Sequence, residues 1–266
     1  MTEFPLWVSL AVKIVFAATI VVAATAAAEK SGPLIAGLII AMPVSVGPTY
    51  VMLGLTASPQ FIAASALGSI AANAAVAVFV AIYVLLARRV AMPLGLALSL
   101  GGWFATAALE QHLKPAPLSL LAIATMALLA ATLLTRHAQS GRALLTGGKR
   151  WFDLPLRALF VGLFAGSVVT VSEAIGPAWT GLFAAFPVAL TTSIVLMHPR
   201  VGVAATSAVL ATAIQGIVIY PLAFILMYYT SVPWGVWWAM AVALGFIVAW
   251  AWLVYVLRRS RGALRF

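Results

Sequence analysis

Residues 173–188 read EAIGPAWTGLFAAFPV, and residues 29–44 read EKSGPLIAGLIIAMPV. The two segments are 144 positions apart, since 173 minus 29 is 144, and eight of their sixteen positions are identical without a gap. The shared residues include the opening Glu, two Gly and two Pro, a set that chance does not produce between two apolar helices. The sequence therefore predicts an internal repeat. The correspondence extends backward through the pairs Leu10/Leu154, Lys13/Arg157 and Phe16/Phe160.

The composition of the whole chain indicates a membrane protein. Of 266 residues, 65% are hydrophobic and 8% are charged, whereas soluble domains carry about 25% charged residues. Apolar stretches of about 20 residues recur along the chain, the length that crosses a hydrocarbon core of about 30 Å. We therefore expect an all-α polytopic protein with the lipid bilayer as its partner. Cysteine is absent, which excludes disulfides, thiol chemistry and thiolate metal sites.

The charge pattern predicts nine spans with the N-terminus outside and the C-terminus inside. With that orientation twelve loop or terminal Lys and Arg residues are cytoplasmic and only Lys114 is external, in agreement with the positive-inside rule. The net charge of +10 is thus accounted for without a nucleic-acid partner. The predicted spans are residues 5–28, 33–54, 60–87, 91–110, 116–135, 155–173, 177–197, 201–229 and 234–257.

The first of these spans has a second interpretation. The run Leu10–Ala28 ends in small residues and resembles a signal peptide with its cleavage site. However, Glu3 replaces the usual positive cluster, and the same segment recurs inside the chain as an ordinary helix. We expect a retained first span.

The repeat and the span count together predict an inverted architecture of four plus one plus four helices. The units are residues 1–112, a linking span and loop at 113–150, and residues 151–266. The fifth span has no partner, so the second unit enters the membrane from the opposite side. The loops agree, because Arg88 and Arg89 follow the third span and the equivalent loop after the eighth carries no charge.

The second unit also resembles a known family. The segment 180–209, TGLFAAFPVALTTSIVLMHPRVGVAATSAV, is similar to the bacterial GlpM-like family of small four-helix membrane proteins, which share a G-L-x-x-x-F-P segment. The resemblance covers about the last hundred residues and, more weakly, residues 33–110. It implies a four-helix unit that is duplicated and fused here, and it implies no defined activity.

Prolines near the middle of the second and seventh spans predict broken helices. Pro43 lies ten residues after Pro33, or about 15 Å along a helix, close to the bilayer centre. A Pro removes a backbone hydrogen bond, which frees a carbonyl four residues earlier, that of Phe183 in the case of Pro187. Freed carbonyls and small hydroxyls at the midplane are typical of transporter sites; the alternative is a kink satisfied by neighbouring helices. The candidates are Pro43, Ser45, Pro187, Thr191 and Thr192.

Two amides are further candidates. Asn73 and Gln215 lie 13 or 14 residues into their predicted spans, near the midplane. Amides at that depth either bind a polar substrate or hydrogen-bond across a helix interface. They are two positions out of repeat register, which favours the interface.

Four charged residues form two symmetric pairs. Glu29 and Glu173 end the first and sixth spans, and Lys13 and Arg157 lie near the other ends of the same helices. We hypothesise that Lys13–Glu173 and Glu29–Arg157 act as alternating outer and inner gates, or that the two Glu residues bind protons or cations. The alternative is that each Glu meets a helix N-terminus and each base snorkels to the interface.

The motifs that are absent narrow the function. His112, His137 and His198 have no metal-ligand spacing, and no catalytic or phosphate-binding motif is present, so we expect neither an enzyme nor a metal or cofactor. The leading prediction is a secondary transporter or facilitator of a small polar or ionic substrate in a bacterial plasma membrane, working by alternating access and coupled to protons or cations. The alternative is an accessory scaffold of envelope or polysaccharide biogenesis, and a channel ranks third.

Overall fold

A computed structural model describes residues 6–30, 46–139 and 153–263, and every regular element in these ranges is a helix. The first five, in chain order, are α1 (Leu6–Lys30), α2 (Val46–Thr56), α3 (Pro59–Leu86), α4 (Met92–Leu113) and α5 (Pro117–Gln139). The remaining four are α6 (Asp153–Ala184), α7 (Val188–Ile217), α8 (Tyr220–Trp234) and α9 (Val236–Ala263).

Local sequence explains where several helices begin and end. The Ser58 hydroxyl caps α3 by accepting from the Phe61 N–H at 3.2 Å, and Pro59 occupies the first helical position, where a missing N–H costs nothing. Helix α4 ends where Lys114 adopts a left-handed conformation with φ 46° and donates its N–H to the Glu110 carbonyl at 2.9 Å.

Three glycines form sharp corners between helices. Gly176 divides α6 into α6a (153–175) and α6b (177–184), Gly202 divides α7 into α7a (188–201) and α7b (203–217), and Gly235 separates α8 from α9. Their φ values are 76°, 79° and 83°, and with ψ values of 169°, 175° and 157° they occupy a region that is essentially restricted to glycine. Each corner therefore depends on the missing side chain.

We expect Gly202→Ala to lower the stability of the folded protein by about 1–3 kcal/mol, because it forces a side chain into this backbone region. Gly216→Ala is the matched control, since an added Cβ meets no atom within 4 Å at either position and only Gly202 has a positive φ. Thermal unfolding of the two variants in detergent measures the difference. Equal midpoints would show that the corner carries no strain.

Six helical stretches are long and apolar enough to cross a membrane, within the residues described. They are Pro59–Leu86, Met92–Leu113, Pro117–Ala138, Pro155–Ala184, Val188–Trp234 and Val236–Leu253. Helix α3 is the most deeply buried of these and packs against α4, α5, α6 and α8. The chain is thus a multi-pass α-helical membrane protein organised around α3, and the predicted fold class is confirmed at this level.

Helices α1 and α6a pack closely and run in opposite directions. A Cβ added at Gly162 would lie 2.8 Å from the Ile14 carbonyl oxygen and 3.3 Å from Ala18, whereas one at Gly166 would meet Ile14 and Leu10. Residue numbers therefore rise along one helix as they fall along the other. Small residues allow this approach, as is common between membrane helices.

The predicted seventh span is interrupted at Pro187. Helix α6b ends at Ala184 and α7 begins at Val188, with a turn and two non-helical residues between them. The predicted starts of the last three spans, at residues 177, 201 and 234, lie within two residues of the observed starts after the glycine corners, at residues 177, 203 and 236. Pro43, where the sequence predicts the corresponding break, and Ser45 lie outside the described residues. The nine-span count and the inverted arrangement remain predictions.

Candidate functional site

The candidate site is the break between α6b and α7a. The Ala185 N–H donates to the Gly181 carbonyl at 3.3 Å, and the Phe186 N–H donates to the Phe183 carbonyl at 2.9 Å. The Phe183 carbonyl, which the sequence predicted to be free, therefore already accepts a hydrogen bond. A ligand that uses this carbonyl has to share it or rearrange the turn.

Pro187 caps the following half-helix. It has φ −77° and ψ 50°, is buried, and its carbonyl accepts the Thr191 N–H at 2.8 Å. Because a Pro lacks an N–H, it begins a helix at no cost and ends the preceding one. Pro187 is thus a helix start and not a kink within a continuous helix.

The hydroxyls after Pro187 differ in their partners. Thr192 Oγ1 donates to the Val188 carbonyl at 2.9 Å, and Ser193 Oγ donates to the Ala189 carbonyl at 2.7 Å. Thr191 Oγ1 is buried and has no hydrogen-bond partner among the described residues. An unpaired buried hydroxyl costs about 1–3 kcal/mol, so Thr191 is the group here that would gain most from a polar ligand.

Behind α6b lies a chain of hydrogen bonds that the sequence did not predict. Ser69 Oγ donates to the Gly181 carbonyl at 2.7 Å, so its other contact, with the Tyr50 hydroxyl at 2.7 Å, uses the tyrosine proton. Asn73 is buried and donates to the Ser69 carbonyl of its own helix at 2.6 Å. The other candidate amide, Gln215, is half-buried on α7b.

The half-helix α6b also touches α3 backbone to backbone. A Cβ added at Gly181 would lie 1.7 Å from the Ser65 carbonyl oxygen, and one at Gly68 would lie 2.1 Å from the Ala178 carbonyl oxygen. The pattern of small residues at 65, 68 and 69 is the sequence signal that could have revealed this interface. It fixes α6b, and hence one side of the break, against the central helix.

Aromatic side chains surround the other side of the break. The Phe186 ring lies 4.8 Å from the Trp103 ring and 5.0 Å from the Phe164 ring, centroid to centroid. Phe104 and Phe183 also contact Trp103, at 5.0 and 6.2 Å. This cluster holds the non-helical residue Phe186 between α4 and α6a.

A cleft of about 260 Å³ opens beside the start of α7a and is lined almost entirely by apolar atoms. Among the described residues that line it, Thr191 and Thr192 are the only ones with a hydroxyl group. The other lining residues are Leu156, Phe160, Phe164, Phe186, Val188, Val195 and Leu196. Of the candidate residues predicted from the sequence, this apolar cleft is lined by Thr191 and Thr192.

Two of the predicted charged residues, Lys13 on α1 and Glu173 on α6a, interact with each other. Lys13 Nζ donates to Thr170 Oγ1 at 3.4 Å, and the carboxylate of exposed Glu173, one turn further along α6a, interacts electrostatically with the Lys13 ammonium. Arg157 is half-buried near the start of α6. The side chain of Glu29 lies outside the described residues. Hydrogen bonds within the described part of the chain do not connect Lys13 and Glu173 to Thr191, Thr192 or Asn73.

Glu110 was not among the site residues predicted from the sequence. It is the last residue of the predicted fourth span, whereas α4 continues to Leu113 and Glu110 is only 7% exposed. No local signal marks such burial, because it depends on which face of α4 meets α3.

Comparisons with known proteins leave the description at the level of class. No family model matches the chain, and neither curated proteins nor solved structures give a match. What the fold defines is a multi-pass α-helical membrane protein with a broken helix packed on a buried central helix.

Proposed function

We propose that the chain is a secondary transporter or facilitator of a small polar or ionic substrate. It works by alternating access between two inverted four-helix units in a bacterial plasma membrane, and it is not an enzyme. The similarity of its second unit to GlpM-like proteins belongs to the same proposal, with duplication and fusion giving both orientations in one chain. The observation that carries the proposal is the break at Pro187, beside a Thr191 hydroxyl that has no hydrogen-bond partner among the described residues. Broken midplane helices are where such proteins bind substrate.

The positions of the helix boundaries support the repeat. Adding 144 to the first residues of α3 and α4 gives 203 and 236. Helix α7b begins at 203, after the Gly202 corner, and α9 begins at 236. The breaks thus recur at the offset of the sequence repeat, although the flanking residues mostly differ.

The α1–α6a interface supports the inversion of the second unit. Ala18 and Gly162 are equivalent positions, since 18 plus 144 is 162, and they lie against each other in an antiparallel pair. A twofold axis in the membrane plane that passes between two antiparallel helices exchanges them, so residues at equivalent positions meet at the axis. Such a self-complementary contact is expected at an isologous interface.

The charged interface has its own expected result. Lys13→Glu and Glu173→Lys should each lower the thermal midpoint, because each places like charges together at a partly desolvated site. The exchange Lys13→Glu with Glu173→Lys should recover most of the loss, and Lys114→Glu, at an exposed loop residue, is the control for a general charge effect. If the double exchange is no more stable than the single variants, the two residues do not act as a pair.

Single cysteines in this cysteine-free chain test alternating access directly. Thr191→Cys in right-side-out and inside-out vesicles is treated with a membrane-impermeant maleimide. A transporter should label from both sides, with the ratio changed by bound substrate. Lys114→Cys and Arg89→Cys, both exposed, calibrate the two faces and should label from opposite sides.

A ligand panel then identifies the substrate class. Thermal unfolding across pH, ions, carboxylates, amines and phosphates reports any ligand that binds only the folded state, because binding raises the midpoint by mass action. A specific shift that is lost in Glu173→Gln would support ion coupling.

A rigid scaffold for envelope or polysaccharide biogenesis is the second candidate. The backbone contact of Gly68 and Gly181 with their opposite helices favours it, because such an interface resists sliding. A scaffold predicts that Thr191→Cys labels from neither side and that the ligand panel gives no shift.

A further inference from the structure

Glu110 is a buried acidic residue that the proposed gates and the broken helix do not use. It lies on the face of α4 that also buries Gly95, Ser99, Trp103 and Ala107. Its residue is 7% exposed, and neither carboxyl oxygen has a hydrogen-bond partner among the described residues. The Trp103 Nε1, two turns away on the same face, is also buried and has no hydrogen-bond partner in the described part of the chain.

The register of α4 on α3 places Glu110 against an apolar part of the central helix. A Cβ at Gly95 would meet Val90 and Tyr83, and one at Gly102 would meet Ile82 and Val78. Because the two helices run antiparallel, the level of Glu110 corresponds to residues 68–74 of α3. That stretch reads Gly-Ser-Ile-Ala-Ala-Asn-Ala, and all of it is buried. Its two polar side chains bond elsewhere, since Ser69 Oγ donates to the Gly181 carbonyl and Asn73 Nδ2 donates to the Ser69 carbonyl.

The titratable groups on the neighbouring helices lie elsewhere. Helix α3 carries only Tyr83, which is opposite Gly95, fifteen residues or about 22 Å along α4 from Glu110. On α7, His198 hydrogen-bonds to that same tyrosine, and Arg200 follows two residues later. Helix α6 meets Trp103 through Phe183, and its Arg157 and Glu173 precede the Gly176 corner. On α4 itself His112 and Lys114 are exposed.

We infer that Glu110 is a proton-binding site in the membrane interior, and that it holds its proton in the conformation described here. Within the part of the chain that the structure describes, an ionised carboxylate at this position would lack both a donor and a counter-ion, which is far more costly than the neutral acid. Intramembrane carboxyl groups of this kind serve as proton relays in transporters. This assignment rests on the proposed function. The coupling ion is then a proton, which Glu110 releases when the α3–α4 contact opens to water.

Infrared spectroscopy of the purified protein in a maltoside detergent, which has no carbonyl group of its own, tests this assignment. Wild type at neutral pH should show the C=O stretch of one protonated carboxyl group, and the band can be assigned by substitution because the chain has five acidic side chains in all. The band should be lost entirely in Glu110→Gln and retained in Glu173→Gln, whose carboxyl group is exposed. A wild-type spectrum without the band, or a band that survives Glu110→Gln, would overturn the assignment.

A complementary variant covers the case in which Glu110→Gln does not fold. Replacing Glu3, Glu29 and Glu173 with Gln and Asp153 with Asn leaves Glu110 as the only acidic side chain, so a retained band belongs to it and an absent band refutes the site.

Transfer to D₂O then separates a carried proton from a fixed one. The band should shift as deuterium exchanges, and a band that never shifts identifies a structural proton and refutes coupling. Labelling of Thr191→Cys does not depend on Glu110, so the two tests can give different answers. If Glu110 is protonated and exchanges its proton while Thr191→Cys labels from neither side, the proton site is supported and the transport function is rejected.

Discussion

Gly181→Ala should lower the free energy of unfolding by about 3 kcal/mol or more, the upper part of the range for overpacked interiors. The added Cβ would lie 1.7 Å from the Ser65 carbonyl oxygen and 2.5 Å from its carbonyl carbon. These are backbone atoms of the central helix and cannot rotate away. The half-helix α6b has to move off α3, which also breaks the 2.7 Å hydrogen bond from Ser69 to the Gly181 carbonyl.

Thermal unfolding in detergent, followed by size-exclusion chromatography of the folded fraction, measures this loss. Gly101→Ala and Gly245→Ala are matched controls, because an added Cβ meets no atom within 4 Å at either helical position, and both should unfold near the wild-type temperature. If Gly181→Ala unfolds with these controls, α6b does not touch α3 as described.

The partner glycine supplies a second check on the same contact. Gly68→Ala would place a Cβ 2.1 Å from the Ala178 carbonyl oxygen and should cost a similar amount. Because both substitutions separate the same two helices, the double variant should lose less than the sum of the single losses. Full additivity would indicate two independent interfaces.

Trp103→Ala should destabilise the protein by about 3–5 kcal/mol, as expected for truncating a large buried aromatic residue. Trp103 is fully buried, and its ring contacts Phe104, Phe183 and Phe186. Removing it leaves a cavity beside the break and releases Phe186, the non-helical residue at the centre of the cluster.

Trp103→Phe separates packing from hydrogen bonding. The Trp103 Nε1 has no partner among the described residues, so losing its N–H forfeits no hydrogen bond and relieves an unpaired donor. We expect Trp103→Phe to lose less than half as much stability as Trp103→Ala. Trp238→Ala is the control, since Trp238 is 70% exposed. The thermal midpoints of the three variants measure these losses of stability. Equal losses for the Phe and Ala variants would show that the indole makes a contact that the structure does not contain.

Much of the local architecture could be predicted because its causes are local. The apolar runs and the scarcity of charge define a membrane protein without reference to packing. Gly176 and Pro177 mark a corner because of their backbone restrictions alone, and Pro187 interrupts the seventh span for the same reason. The prediction that the Phe183 carbonyl is free was wrong, because the chain forms a tight turn in which this carbonyl accepts a hydrogen bond from the Phe186 N–H.

The candidate site was predicted less completely because it depends on contacts between distant segments. Lys13 and Glu173 were paired from the repeat, and the structure adds that Thr170 accepts the hydrogen bond from Lys13. Nothing in the local sequence indicated that Tyr50 and Ser69 would meet the Gly181 carbonyl, because 112 residues separate Ser69 from that carbonyl.

The sequence by itself determined that this is a multi-pass helical membrane protein, and where its helices turn or break, since hydropathy, charge placement and the steric limits of Gly and Pro act within a few residues. Only the tertiary structure decided that α6b lies in backbone contact with α3 and that Glu110 is enclosed with no hydrogen-bond partner among the described residues. Both follow from which face of each helix meets its neighbour. In lipid that choice rests on shape and hydrogen bonding between helices and not on hydropathy, because lipid tails are as apolar as the side chains that compete for the same surface.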